Sequence, residues 1–488
     1  MARLPTPGGD DGNWGQILND YLAVEHDDSG SLKDVARPAD VAAKYTKPAG
    51  GIPGSDIASG AITNTQLDAA TQAAVTRANS SLQAANNFSD LAAPVTARGN
   101  LLVYKPDGLR RARAAFAGGR TAPFRVLYGP GDSTTFGIGS DGTQSTTDTS
   151  GAGFNAPDQL RSLLSVSLGG GEGQMVLPSD NRVSKTNASA SPTTGVFSTT
   201  SYSMSGGAAQ MTFPALRCTS IEVICLWNRT GSGAFNYQID AGSVTASAAP
   251  AVTTYNNYYI TTISGLSDGT HSIKITPPDS TLKVYIVGIV YRTETGPVVM
   301  RLGKAGSTSS DVVNGNGGIT AGLSTRQYHL SMTNVWQPHL VVLPIGINDQ
   351  GGYPGNSITP AIYATNLQKI IDYAVTPAAA ANVDYGSGTG VNTPPPLITS
   401  TGASVLLLVG PNAATVGSLG QQAYWDAAKA LCDSNDHVSF LNLADHYGTQ
   451  AAASASDIGL QLTSSVHSTT RGYGLNALLV KEAITGSL

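Results

Sequence analysis

Three dense apolar runs stop abruptly in glycine and small polar residues. Residues 124–131 run into Gly131-Asp132-Ser133, residues 298–303 lead to Gly306 and a cluster of hydroxyls, and residues 340–345 run into Gly346-Ile347-Asn348-Asp349. An apolar run of this length, closed by turn residues, reads as a buried strand. A strand that stops in Gly131-Asp132-Ser133 leaves a hydroxyl at its carboxyl end, where open α/β sheets place their ligands. Near the C-terminus, Val466-His467 with Gly472 shortly after it adds an imidazole.

A different texture fills residues 175–297. The runs 221–227, 235–240, 258–263, 271–276 and 284–291 are short, β-branched and aromatic, with Gly-, Ser- and Pro-rich turns between them. That spacing predicts an all-β sandwich inserted between two parts of another domain, with the chain returning at Val298. Trp227, Tyr258 and Tyr259 have two readings, a sugar-stacking face or strand residues of the core.

The first hundred residues are patterned for helices. Trp14, Ile17, Leu18, Tyr21 and Leu22 recur on one helix face, residues 46–60 are a Gly- and Pro-rich linker, and Val75, Ala78, Leu82 and Ala85 form a short heptad-like seam. A lone helix this polar is marginal in water and needs a partner. Parallel association of identical chains, three being the expectation, supplies one; a helix folded back on its own chain is the alternative.

Composition narrows the classes. A length of 488 residues implies several domains, and a charged fraction of 12% lies below that of ordinary soluble domains, which fits a sheet- and turn-rich chain. A net charge of −5 over this length argues against a nucleic-acid surface. No apolar run is long enough to span a membrane, and the N-terminus lacks a signal-peptide pattern, so the expectation is synthesis in the cytoplasm without a secretion signal of its own. Cys218, Cys225 and Cys432 read as buried thiols, and neither they nor the seven scattered histidines show metal-ligand spacing. No cofactor is expected.

Taken in order, Gly-Asp-Ser at 131–133, Gly306, Gly-x-Asn-Asp at 346–349 and the late His467 resemble the SGNH, or GDSL-like, hydrolases. The resemblance covers about 120–170 and 295–488. It implies an α/β fold, a three-layer α/β/α sandwich with a jelly-roll-like, carbohydrate-module-like insert, and serine esterase or deacylase chemistry. By the same resemblance Ser133 is the nucleophile and His467 its base, while the Ser133 N–H, the Gly306 N–H and the Asn348 amide form the oxyanion hole. Asp132 and Asp349 are read as loop braces rather than as the triad acid.

One position departs from the pattern. The family places an aspartate three residues before its histidine, and here that residue is Ser464. A hydroxyl does not stabilise an imidazolium as a carboxylate does. Three outcomes stay open: a Ser133–His467 dyad oriented by Ser464 or a backbone carbonyl, an acid recruited from elsewhere such as Asp457, or a weakened enzyme kept as a binding module.

The amino-terminal segment resembles that of minor tail proteins from phages of actinobacteria, and residues 88–101 resemble the junction between stalk and distal domain in phage fibres. These resemblances imply a virion location, contacts with other tail proteins, a homotrimer, and a host cell-envelope glycan or lipid ester as substrate. The expected division is 1–45 for virion attachment, 46–100 for linker and helical stalk, 101–174 and 298–488 for the hydrolase, and 175–297 for the insert. Against the enzyme stands a receptor-binding or structural tail protein on the same scaffold.

Overall fold

In the computed structural model of the chain, the described residues, apart from a few isolated positions, are 103–138, 140, 154–171, 173–191, 201–227, 234–248, 257–303, 306–314, 336–351, 358–376, 402–409, 421–447, 459–462 and 467–486. The expected attachment segment, linker and stalk lie outside them. Residues 87–488 group as one compact unit.

The sheet begins with β1 (Pro123–Gly131), β2 (Gly173–Val176), β3 (Ser184–Thr186), β4 (Ala188–Ser191), β5 (Ser201–Ser205), β6 (Gln210–Trp227) and β7 (Asn236–Ile239). It continues with β8 (Thr245–Ala246), β9 (Asn257–Thr276), β10 (Lys283–Arg292), β11 (Gly296–Gly303), β12 (Leu340–Leu343), β13 (Ser404–Val409) and β14 (Val438–Asn442). The helices are α1 (Arg110–Ala117), α2 (Ser133–Phe136), α3 (Ala156–Leu168), α4 (Ser309–Asn314), α5 (Ile347–Gly351), α6 (Pro360–Val375), α7 (Gln421–Ser434), α8 (Ala444–Tyr447) and α9 (Thr470–Thr485).

The parallel part runs β14-β13-β12-β1-β11-β2. Its strands are dense apolar runs because both faces are covered. Alternate residues serve opposite faces: Leu127, Val341, Leu343, Val405 and Leu407 pack towards α6 and α7, where Leu367, Ile371 and Ala428 meet them. Val126, Tyr128, Leu340, Val342 and Leu406 pack towards α1, α3 and α9, meeting Ala112, Leu160, Leu164 and Val480. Helices therefore lie on both faces of the parallel strands, as the SGNH resemblance implies.

Residues 175–297 do form strands, but their hydrogen bonds are not those of a free-standing insert. β2 pairs parallel with β11 and antiparallel with β10, and β10, β6, β9, β7 and β8 extend the same sheet. The sheet thus runs unbroken across the expected domain boundary. These strands have a core of their own, including Met211, Phe213, Ile221, Ile273 and Ile286. Glu222 on β6 fastens the junction: its Oε1 accepts from Arg125 Nη2 on β1 at 2.9 Å and Arg292 Nε at 2.7 Å, and its Oε2 accepts from Trp336 Nε1 at 2.8 Å. A carboxylate this buried needs paired donors, and two guanidinium groups together compensate its charge. Cys218, Cys225 and Cys432 are buried free thiols.

Candidate active site

The nucleophile position is made by the turn from β1 into α2. Gly131 admits no side chain, since a Cβ there would lie 1.9 Å from Thr135 Oγ1. Asp132 then caps α2, its Oδ1 accepting from Thr134 N and Thr134 Oγ1, both at 2.8 Å. Gly137 ends the helix at φ 94°, its N–H returning to Ser133 O. Ser133 is therefore the first residue of a capped turn at the carboxyl end of β1.

His467 comes from the segment before α9, and that segment is tied to the nucleophile turn. Its carbonyl accepts from Leu462 N at 3.0 Å. Two residues of α9 reach the chain just after α2: Tyr473 Oη donates to Ile138 O at 2.7 Å, and Thr470 Oγ1 donates to Ser140 O. Gly472 is required there because a Cβ would lie 2.0 Å from Leu460 O. With this bracing, His467 Nε2 and Ser133 Oγ are 2.8 Å apart. That is hydrogen-bond contact across 334 positions of sequence, close enough for the imidazole to accept the hydroxyl proton.

Two further loops border the strand ends. Gly306 follows β11 at φ 78°, a conformation that favours glycine, and leads into α4. Asn348 and Asp349 lie on α5 after β12, and Asn348 Nδ2 donates to Ser307 O at 2.8 Å. One of the two amide hydrogens of Asn348 is used in this way. A recess beside the nucleophile turn is lined by Tyr128, Asp132, Thr134, Ser468, Tyr473 and Asn476 among others, and Ser133, Gly306, Asn348 and His467 are not among its lining residues.

Burial dominates the electrostatics of the site. Burial lowers the pKa of His467 below the usual imidazole value, which favours the neutral base. Burial pushes Asp132 up to about 7, with the charge of Asp349 adding to it and the Thr134 bonds opposing it. Asp132 is 1% exposed, and its Oδ2 has no hydrogen-bond partner among the described residues. Asp349 rises to about 6, again through burial and against its bonds from Ser309.

Of the residues expected from sequence, Ser133 and His467 meet directly, while Asn348 of α5 is joined to the segment of Gly306 through Ser307. Asp132 spends its hydrogen bonds on the backbone and hydroxyl of Thr134 in its own turn, and Asp349 on the backbone and hydroxyl of Ser309 on the segment after β11. Ser464 and Asp457, two of the groups considered for orienting His467, lie outside the described residues, as do the side chains of Trp227 and Tyr258. Tyr259 is a correction: it is 5% exposed and packs in the β-region core, opposite Cys225 of β6, so it presents no stacking face. The α9 anchors Thr470 and Tyr473 were not expected from sequence. No local pattern marks a hydroxyl whose partner is a carbonyl about 330 positions away.

No family profile and no curated protein matches the chain. Among solved structures, a peptidoglycan O-acetylesterase superposes with a TM-score of 0.52 at 14% identity, covering 78% of this chain and 98% of that one. This chain shares its fold. A family two carbohydrate esterase from Cellvibrio japonicus covers 64% of this chain and 98% of its own, at 8% identity and a TM-score of 0.25, too loose to bear on the fold.

Proposed function

We propose that the chain is a serine ester hydrolase that removes O-acyl groups, acetyl foremost, from an envelope glycan. The observation that carries this is the 2.8 Å contact between Ser133 Oγ and His467 Nε2 at the carboxyl edge of the parallel strands. The shared fold with a peptidoglycan O-acetylesterase supports the substrate class. In the reaction, Ser133 Oγ attacks the ester carbonyl carbon while its proton passes to His467 Nε2. The carbonyl oxygen becomes an oxyanion received by the N–H groups of Ser133 and Gly306 and by the Asn348 amide. Collapse expels the sugar hydroxyl, which takes the proton from His467 and leaves an acyl-Ser133 ester. His467 then deprotonates water, the water attacks that ester, and collapse breaks the acyl–Oγ bond, with His467 returning the proton to Ser133 Oγ as the acid leaves. The lowered pKa of His467 keeps the base free of a proton at neutral pH.

The finer placement is also part of this reading: a homotrimer joined through residues 63–87 and held in a phage tail through residues 1–45, acting on the host envelope. The sequence resemblances of those segments support it. The competing reading, a receptor-binding tail protein with little turnover, is favoured by the serine at position 464. Reaction of the purified chain with a fluorophosphonate, together with acetate release from O-acetylated peptidoglycan, separates the two. The esterase is expected to label at Ser133 and release acetate, with both lost in Ser133→Ala. Neither labelling nor release in the parent protein would leave the binding protein standing.

A further inference from the structure

Two adjacent residues of α5 grip the same loop. Asn348 Nδ2 holds Ser307 O at 2.8 Å, and the Asp349 carboxylate accepts Ser309 N at 2.9 and 3.1 Å as well as Ser309 Oγ. Thr308, between the two gripped residues, closes a local box with Asp311: Thr308 N donates to Asp311 Oδ2 at 2.8 Å, and Asp311 N donates to Thr308 Oγ1 at 3.2 Å. Asn366 of α6 adds bonds to Ser309 Oγ at 3.0 Å and Ser310 Oγ at 2.9 Å, and Tyr424 Oη donates to Asp349 O. Asp349 and Ser309 are both fully buried.

We propose that Asp349 is a positioning residue for the oxyanion donors, acting by clamping the Ser309 end of the turn that Asn348 holds at Ser307. The inference rests on the esterase reading of Ser133 and His467. The carboxylate is enclosed among protein donors, so it acts through Asn348 and Gly306 rather than on substrate. Its removal frees the turn at Ser309, and the Ser307 carbonyl that orients the Asn348 amide moves with it. Gly306, immediately before Ser307, carries another donor on the same short segment. Donors displaced in this way weaken the transition state more than substrate binding, because the oxyanion exists only in the transition state and intermediates.

The test measures acetyl-ester kinetics for the full chain and for Asp349→Ala, Ser309→Ala, Asn348→Ala and the double variant Asp349→Ala/Asn348→Ala. Asp349→Ala is expected to lower kcat about 10- to 100-fold with KM within about threefold, and Ser309→Ala to fall in the same direction by less. The double variant is expected to lie within about threefold of Asn348→Ala, since the clamp has little left to position once the amide is gone. A purely structural role gives multiplying losses, or a lowered unfolding temperature with unchanged kcat, and either result overturns the proposal. If Asp349→Ala does not fold, Ser309→Ala and its double with Asn348→Ala decide by the same criterion. A parent protein without Ser133-dependent turnover overturns the esterase reading and this inference with it. An active parent whose clamp variants keep full kcat overturns this inference alone.

Discussion

Replacing Asp132 by asparagine should change how stability depends on pH. Asp132 is buried with one unpaired oxygen, and its carboxyl is raised to about 7 from an unfolded value of 3.8. A raised carboxyl pKa means the folded state holds its proton more tightly than the unfolded chain. The resulting stabilisation is fully present below about pH 4 and is lost as pH rises through about 7. The span from 3.8 to about 7, at about 1.4 kcal/mol per pH unit, bounds the loss at about 4 kcal/mol. In Asp132→Asn, Oδ1 still accepts from Thr134 N and Oγ1, but an amide takes the place of Oδ2. That buried and unsatisfied amide costs about 1–3 kcal/mol at every pH, whereas the charging cost disappears. Denaturant unfolding of both proteins from pH 4 to 8.5 should therefore give curves that cross, the variant less stable at pH 4 and more stable at pH 8.5. Taking the difference between the proteins removes the contribution of every other titrating group whose environment the substitution leaves alone. A stability difference that stays constant across the range would refute the assignment of a proton to Asp132 in the folded protein.

Three further outcomes are expected. Because burial lowers the pKa of His467, the acid limb of kcat/KM on an acetyl ester should fall below pH 6.5; a limb above that value would show a carboxylate facing the imidazole and contradict a dyad. Ser464→Asp should raise turnover if the dyad lacks an acid, by up to ~10⁴-fold at the limit set by serine-protease triads; no gain in an active protein would point to a recruited acid such as Asp457. Mass measurement of the full chain should give a trimer and of a chain starting at Leu101 a monomer, and monomers in both would end the stalk reading.

The strand ends were legible because chemistry and packing mark them together. A strand covered on both faces is apolar throughout, so its end shows as a sudden change to glycine and polar residues, as at Gly131, Gly303 and Gly346. Thr308 and Asp311 could also have been read as a capping box from their spacing alone, which would have placed a helix start just after Gly306. The unbroken sheet was not legible. Periodicity reports that β6, β9 and β10 are strands with a buried face, but it carries no information on which strand each one pairs with. The pairing of β10 with β2 is fixed by partners about 115 positions apart, Ile289 beside Val176 and Tyr291 beside Gln174. Tyr259 failed for a related reason, since an aromatic residue in a strand has the same pattern whether its ring faces sugar or core.

That continuity bears on the site itself. β11, which carries the chain to Gly306, is paired on one side with β1, which delivers Ser133, and on the other with β2, the first strand joined to the β-rich region. Glu222 ties that region back to β1 through Arg125, two positions into the strand that ends at the nucleophile. The imidazole arrives from a segment late in the chain, and among the described residues no strand carries it. Its position depends on α9, which packs on α3 and β1 through apolar residues and is pinned beside α2 by Tyr473 and Thr470. Ser133 is thus set by sheet register and His467 by helix packing, and two hydroxyl contacts to the chain beyond Gly137 link these supports next to the serine.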